Sequence, residues 1–446
     1  MLGGIPHQSV LKIPNFKRIG AEENLKRIQL APNAYLNILS AEKFNRCRFT
    51  VQLRYQASRE RATACALLPF LMERGYQDCP DPTALSCRLA QLYGATLSAD
   101  ATASGSCRSL TVSVDGIQQR FALQNECLAE EYAKLALGTI FRPALKDGVF
   151  DAEEVEIEKK KLAEELAGEI NDKRLYCLRQ ARRKFYGDHP AGIERIGYPE
   201  EVAGLTAQQV TDAWKWMVQN SCVEVFCSGL DEEKAAELVQ KELLQLHRQP
   251  LALPGAQAMP VVKPQTYTET MDMVQAKLCL LFTVQDFDIE LDLSAMRMGM
   301  AILGGSPTSR LFMNVREKQS LCYYCAASFN SFGGMMCIDS GIEPENAETA
   351  QQAILNEWKA MCDEPASEKE MEDARRYLVN SLAAVGDSIS AQENWYIGQL
   401  WRDCTDSPEE VHRQLLQVTA QQVQQAMQKF RFSLAYLLTR EDAKDE

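Results

Sequence analysis

At 446 residues the chain is long enough for two or three domains, each able to bury a core. Hydrophobic residues at 46% and charged residues at 24% are soluble-globular proportions, and a net charge of −13 argues against a nucleic-acid footprint. Apolar runs such as "LCLLF" at 278–282 are strand-sized, and "MLGGIPHQSVLKIPNFK" has no charged segment leading into an apolar one, so the sequence predicts a cytoplasmic chain with no membrane span.

In chain order, "RFTVQLRYQ" at 48–56 and "RSLTVSVDGI" at 108–117 read as strands. A helix follows from Asp151, which can cap it, with Glu154 three residues on in a capping-box pattern. Val155, Leu162, Leu166 and Ile170 form its apolar face, and Glu158, Glu165 and Glu169 make a carboxylate stripe at the edge of that face. Without a metal or cationic partner such a stripe reads as a solvated acidic flank. A helix at 206–217 and a strand, "CVEVFCSGL" at 222–230, come next. Residues 247–266 hold four prolines and no clear periodicity, the pattern of an extended linker.

Beyond the linker, "AKLCLLFTV" at 276–284 is a strand and "LDLSAMRMGMAILGG" at 291–305 a helix ended by a Gly pair. Ser306-Pro307 then fits the N-cap and first position of another helix, carrying "TSRLFMNVREK". It runs into a strand "SLCYYCAASF", a loop "NSFGG" and a strand near "MMCIDSGI". The one CxxC, Cys322 to Cys325, lies in this run. In regular extended chain its two side chains point to opposite faces, whereas a redox CxxC opens a helix, so the spacing predicts core-strand cysteines. The fifteen cysteines are irregularly spaced and predict reduced, mostly buried thiols.

The string "TAQQV" occurs at 206–210 and again at 419–423. Each copy follows a Pro-Glu-Glu-Val, at 199–202 and 408–411, and an acidic helix start, "FDAEEVEIEKKKL" at 150–162 and "ASEKEMEDARRYL" at 366–378. Three matches in one order, offset by a little over 200 residues, read as two homologous halves, 1–246 and 267–446, around the 247–266 linker. That period is far longer than the roughly 20–50 residues of a solenoid repeat. Alternating strand-like and helix-like text predicts an α+β fold, each half a sheet covered on one face by helices.

The segment "LGGSPTSRLFMNVREKQSLCYY" at 303–324 resembles the C-terminal half of the pitrilysin/insulinase-like (inverzincin) metallopeptidases. The resemblance covers nearly the whole chain and is strongest there. It implies two homologous halves, each a mainly antiparallel sheet covered by helices, forming half of a clamshell chamber. Active members of the family carry an inverted zinc motif, H-x-x-E-H. Its histidines stand one helical turn apart on one zinc ion, and its Glu activates the bound water. A Glu from a second helix is the third ligand.

The corresponding helix here is "CALLPFLMERG" at 65–75. Anchored on Gly75, the histidine positions hold Ala66 and Phe70 and the Glu position holds Pro69, while the third-ligand Glu aligns with Glu165. No two of the four histidines, His7, His189, His247 and His412, are close enough in sequence to form the motif. The resemblance therefore implies a degenerate motif, no metal in this chain and no catalytic residue of its own. It also implies that Arg316 and Tyr323, seven residues apart in "VREKQSLCY", hydrogen-bond the peptide carbonyl under attack. A guanidinium and a phenol are suited to a developing oxyanion. Apart from the resemblance, the same two residues read as a surface Arg at a helix end and a core Tyr in a strand.

Two-chain members of the family pair a zinc-bearing subunit with a metal-less homologue. The chain is similar to the metal-less subunit of a bacterial pair, in a branch associated with elongation factor P modification. The implied function is the non-zinc-binding subunit of a heterodimeric zinc endopeptidase, with zinc in the partner subunit and a peptide as substrate. The alternative is a non-catalytic scaffold or peptide-binding homologue with no peptidase role.

Overall fold

The computed structural model describes residues 17–21, 25–124, 126–255, 259 and 263–441. Strands β1 (Lys17–Ala21), β2 (Leu25–Ala31), β3 (Ala34–Leu39), β4 (Arg46–Gln56), β5 (Thr96–Ser104), β6 (Cys107–Ile117) and β7 (Cys222–Ser228) form one sheet in the order β1-β2-β3-β7-β4-β6-β5. Strands β8 (Gln265–Thr270), β9 (Ala276–Val284), β10 (Cys322–Asn330), β11 (Met335–Ile342) and β12 (Phe430–Thr439) form a second, β10-β11-β9-β12-β8. Each sheet has a single parallel pair, β3 with β7 and β8 with β12; the other neighbours run antiparallel. Read from the opposite edge, β8-β12-β9-β11-β10 repeats β3-β7-β4-β6-β5 strand for strand. The duplication seen in "TAQQV" is thus present in the topology.

Helices occupy the connections. In the first half they are α1 (Ala62–Met72), α2 (Pro82–Gln91), α3 (Leu128–Phe141), α4 (Ala152–Gly168), α5 (Lys173–Tyr186), α6 (Pro199–Val202), α7 (Ala207–Asn220) and α8 (Glu232–Leu244). In the second they are α9 (Ile289–Met300), α10 (Ala347–Asp363), α11 (Glu368–Val385), α12 (Ile389–Leu400), α13 (Pro408–Gln417) and α14 (Ala420–Met427). Each "TAQQV" is a helix start. The Thr206 and Thr419 hydroxyls both accept from the glutamine N–H three residues on at 3.2 Å, and each glutamine side chain accepts from the threonine N–H at 2.9 Å. These reciprocal bonds satisfy amide donors that a helix start would otherwise leave unpaired. α7 and α14 then lead into the equivalent strands β7 and β12. Among the described residues no helix is long and apolar enough to cross a membrane.

Three local expectations need correction. Asp151 does cap α4, accepting from the Glu153 N–H at 2.8 Å, but Glu154 closes no capping box and instead pairs with Arg74 at 3.1 Å. α4 also stops at Gly168, so Ile170 lies in the following 3-10 turn and is exposed, while Val155, Leu162 and Leu166 are buried. Ser306-Pro307 begins no helix: residues 306–309 make a turn, and the next helical segment, Leu311–Lys318, has π winding. α9 likewise continues as a π turn, Ala301–Gly305. Here a glycine is required by close approach. A Cβ on Gly304 would stand 2.7 Å from the Ala327 backbone nitrogen of β10.

The expectation of one helix-covered face per sheet describes each half only in isolation. The first sheet packs one face on its own α1, α3 and α7, through Val51, Leu110 and Val112. Its other face receives α12 from the second half, with Tyr396 and Leu400 against Leu25, Leu39 and Phe226. Reciprocally, Cys177, Ala181 and Tyr186 of α5 pack on the second sheet against Leu281, Cys337 and Leu434. The α4–α5 pair and the α11–α12 pair occupy equivalent places in the repeat, so each half lends the same helix to the other. Fully burying a large apolar side chain such as Leu400 contributes roughly 1.5–3 kcal/mol. Polar groups are buried in the same layer, Glu224 and Gln399 among them. Glu393 of α12, 2% exposed, accepts from Arg48 Nε at 3.0 Å and Thr50 Oγ1 at 2.8 Å on β4.

Candidate functional site

The site is divided between two equivalent places, at the β5 edge of one sheet and the β10 edge of the other. At the first, α1 is apolar almost all round, and every residue in it except Phe70 is buried. Such a helix is internal. Pro69 stands in its interior, where its ring removes the N–H that would bond the Cys65 carbonyl. The chain turns away at Gly75, φ +154°, where a Cβ would lie 2.4 Å from the Cys79 carbonyl oxygen. That position admits only glycine, and it packs the chain after α1 against the backbone of Cys79–Asp81.

Ala66, Pro69 and Phe70 share a cavity of about 180 Å³ with Glu165 of α4, Ala99, Asp100 and Ala101 of β5, Glu73 and Arg195. The structure therefore brings the four degenerate motif positions together. Their chemistry does not fit zinc. A methyl, a pyrrolidine ring and a phenyl ring present no lone pair where two imidazoles and a carboxylate are needed. Nearby polar groups are already used: Glu73 accepts from the Ala99 N–H at 2.9 Å, and Arg195 donates to the Ala101 carbonyl at 3.1 Å. Among the described residues no group of three His, Cys, Asp or Glu side chains is placed to hold a metal ion.

The acidic stripe of α4 is also not one solvated flank. Glu158 is fully buried, accepting from Arg74 at 2.8 Å and pairing with Lys161 at 2.8 Å, and Glu169 pairs with Arg179. Glu165 alone of the three is exposed, at the cavity.

At the second place, Arg316 lies near the end of the π-wound segment Leu311–Lys318 and Tyr323 near the start of β10. The ladder with β11 slips here: Cys322 pairs with Ile342 and Tyr324 with Gly341, leaving Tyr323 as an extra residue. This β-bulge re-aims the side chains around it. Tyr323 is 54% exposed, so it is not a core tyrosine. Cys322 and Cys325 are both buried, and the slip sets them opposite Ile342 and Ser340, two residues apart on β11, so the expected split across opposite faces is overturned. One inserted residue changes a three-residue spacing from opposite faces to one face.

Arg316, Ser320, Cys322, Tyr323 and Glu343 line a cavity of about 390 Å³. The Tyr323 hydroxyl donates to Glu343, and that hydrogen bond to a carboxylate raises the phenol's pKa. The Arg316 guanidinium lies 4.6 Å from the centre of the Phe312 ring, with its Nε 3.7 Å from Glu317. A phenol and a cation thus converge on one open cavity beside an edge strand. The sequence carried no signal for Glu343 as the tyrosine's acceptor, because a carboxylate following a strand is unremarkable in text.

Residues 204–378 match the family described as the peptidase M16 inactive domain. The chain is 24% identical over 403 residues to the probable inactive metalloprotease YmfF of Bacillus subtilis, a match covering 90% of this chain and 95% of that one. A conserved protein from Enterococcus faecalis V583 has a similar structure, with a TM-score of 0.84 at 25% identity over 95% of this chain and 100% of that one. A peptidase M16 inactive domain from Pseudomonas fluorescens superposes with a TM-score of 0.76 at 18% identity, over 95% and 100% of the two chains. With a duplicated sheet topology and apolar side chains at the expected ligand positions, the chain is similar over nearly its whole length to inactive peptidase M16 proteins, and its residues 204–378 match that family's inactive domain.

Proposed function

We propose that the chain is the non-zinc-binding subunit of a heterodimeric zinc endopeptidase, supplying half of the peptide chamber and the Arg316/Tyr323 donor pair. The observation that carries this reading is the contrast between the two cavities. One has no ligand set for a metal, whereas the other holds two oxyanion donors on an open edge. Zinc and the attacking water belong to the partner.

This chain's residues then do two things. The edge strands β5 and β10 offer unpaired backbone groups to which an extended peptide can add as a further strand. Arg316 and Tyr323 donate to the carbonyl oxygen as negative charge develops on it, the point at which preorganised donors lower a barrier most. Tyr323 must first exchange Glu343 for that oxygen. Its engagement by Glu343 is also the observation favouring the second reading, a peptide-binding scaffold with no peptidase role. The fifteen free thiols, most of them buried, suit a reducing compartment, and on this reading the complex is cytoplasmic.

Co-expression with a zinc-bearing homologue tests the assignment. The expected result is a stable complex with chelator-sensitive peptidase activity that neither chain shows alone. A homologue that is equally active without this chain would overturn it.

A further inference from the structure

Arg108, near the start of β6, is 6% exposed, yet its charge has no carboxylate partner among the described residues. Its Nη1 donates to the carbonyls of Gly105 at 2.9 Å and Cys107 at 2.7 Å, and its Nη2 to the Ile193 carbonyl. Its Nε has no hydrogen-bond partner among the described residues. We propose that Arg108 holds a monatomic anion of halide size, chloride in ordinary solution, in the cavity at the start of α1.

Arg108 shares that cavity with Ser58, Arg61, Glu194, Arg195 and Trp216. Its volume is about 10 Å³, room for one species of about the size of a water molecule. A tetrahedral oxyanion such as phosphate is too large. Charge decides between a water and an anion. Arg61 donates to the Ser58 hydroxyl at 3.4 Å and lies 4.5 Å from the centre of the Trp216 ring. Arg195 donates to the Ala101 carbonyl at 3.1 Å. Neither pairs with a carboxylate among the described residues. Glu194, the acid at the cavity, is drawn away: its oxygens lie 2.7 Å from Arg179 Nε and 3.0 Å from Arg183 Nε.

The start of α1 adds to the same excess. Ala62 and Cys65 are on the cavity wall, and the first turn has no acidic residue and no side-chain cap. The positive end of the helix dipole therefore falls beside the three guanidiniums. Carbonyls solvate Arg108 without neutralising it, and a water would do the same. An uncompensated buried charge is costly, and an anion supplies the missing counter-charge. The ion would tie β6 to the start of α1 and to residues 193–195, whose Arg195 also lines the cavity of the degenerate motif. The inference does not rest on the proposed heterodimer, because it concerns the chain alone.

Two measurements on the full-length chain test it. Crystals soaked in sodium bromide and measured at the bromine absorption edge should show an anomalous peak beside Arg108 Nε that added phosphate does not displace. In solution, replacing gluconate by chloride at constant ionic strength should give a saturable rise in Tm, as binding to the folded state requires. Arg108→Gln should abolish the rise. Arg61→Gln, which leaves Arg108 in place, should move it to higher chloride concentration, and serves where the first variant does not fold. A Tm independent of chloride, with water in the cavity, would overturn the proposal. So would bromide seen in the crystal without a saturable rise in solution, which is an adventitious ion only. Displacement of the bromide by phosphate would overturn the assignment to a monatomic ion.

Discussion

Glu393 and Arg48 meet at 3.0 Å although 345 residues separate them in the chain. The contact joins a helix of the second half to the central sheet of the first, and burial raises the Glu393 carboxyl above its ordinary 4.5. Glu393→Ala removes the acceptor of Arg48 Nε and Thr50 Oγ1 while Arg48 keeps Asp115 at 3.8 Å, so it is expected to cost about 1–3 kcal/mol in chemical denaturation. Glu393→Gln separates charge from contact. A raised folded pKa means that the carboxyl's contribution is complete below 4.5 and declines as pH rises through the folded value. The stability advantage of wild type over Glu393→Gln should therefore shrink as pH rises from the acid side. A pH-independent gap would mean that the carboxyl is not desolvated.

The cavity at Ala66, Pro69, Phe70 and Glu165 makes a constructive prediction. The triple variant Ala66→His, Pro69→Glu, Phe70→His should bind one zinc ion per chain, where the wild-type chain binds none. Two imidazoles one helical turn apart would then face the Glu165 carboxylate, and exchanging Pro69 also restores a helix N–H. Adding Glu165→Gln should weaken the zinc. Elemental analysis of the purified variants checks this, and a zinc-free triple variant that is folded would show the positions to be misassigned.

The same two places show what a sequence discloses. Strands β9 and β11 coincide with the apolar runs at 276–284 and 335–342, because sharp composition changes bound both. The expected motif positions take their register from Gly75, beyond the end of α1, whose backbone conformation only glycine adopts easily, and they fall on one cavity with Glu165. The bulge at Tyr323 was not legible. Nearly every residue of "SLCYYCAASF" is compatible with burial, so the alternation that would reveal an inserted residue is missing. The exchange of α5 and α12 was hidden for another reason. Periodicity tells which face of a helix is buried, but not that its partner is the sheet of the other half.

The hydrogen bond from Tyr323 to Glu343 also predicts a measurable titration. Glu343→Gln removes the carboxylate that raises the phenol's pKa, so the ionisation of Tyr323 should move down toward its ordinary 10.0. Carbon-13 NMR of labelled tyrosine, assigned through Tyr323→Phe, follows it. An unchanged titration would mean that the two side chains do not hold each other in solution.

The central claim is that Tyr323 donates in trans to a carbonyl held at a partner's zinc site. Tyr323→Phe is the cleaner probe, since it deletes one hydroxyl, whereas Arg316→Ala also removes the packing of its stem and guanidinium on Phe312. The decisive measurement is kcat of the complex reconstituted with Tyr323→Phe, compared with wild type at matched subunit assembly. Loss of one oxyanion donor predicts a fall of roughly 10²–10³-fold. A Tyr323→Phe complex that assembles normally and turns over at the wild-type rate would contradict the donor role and leave the chain as a scaffold.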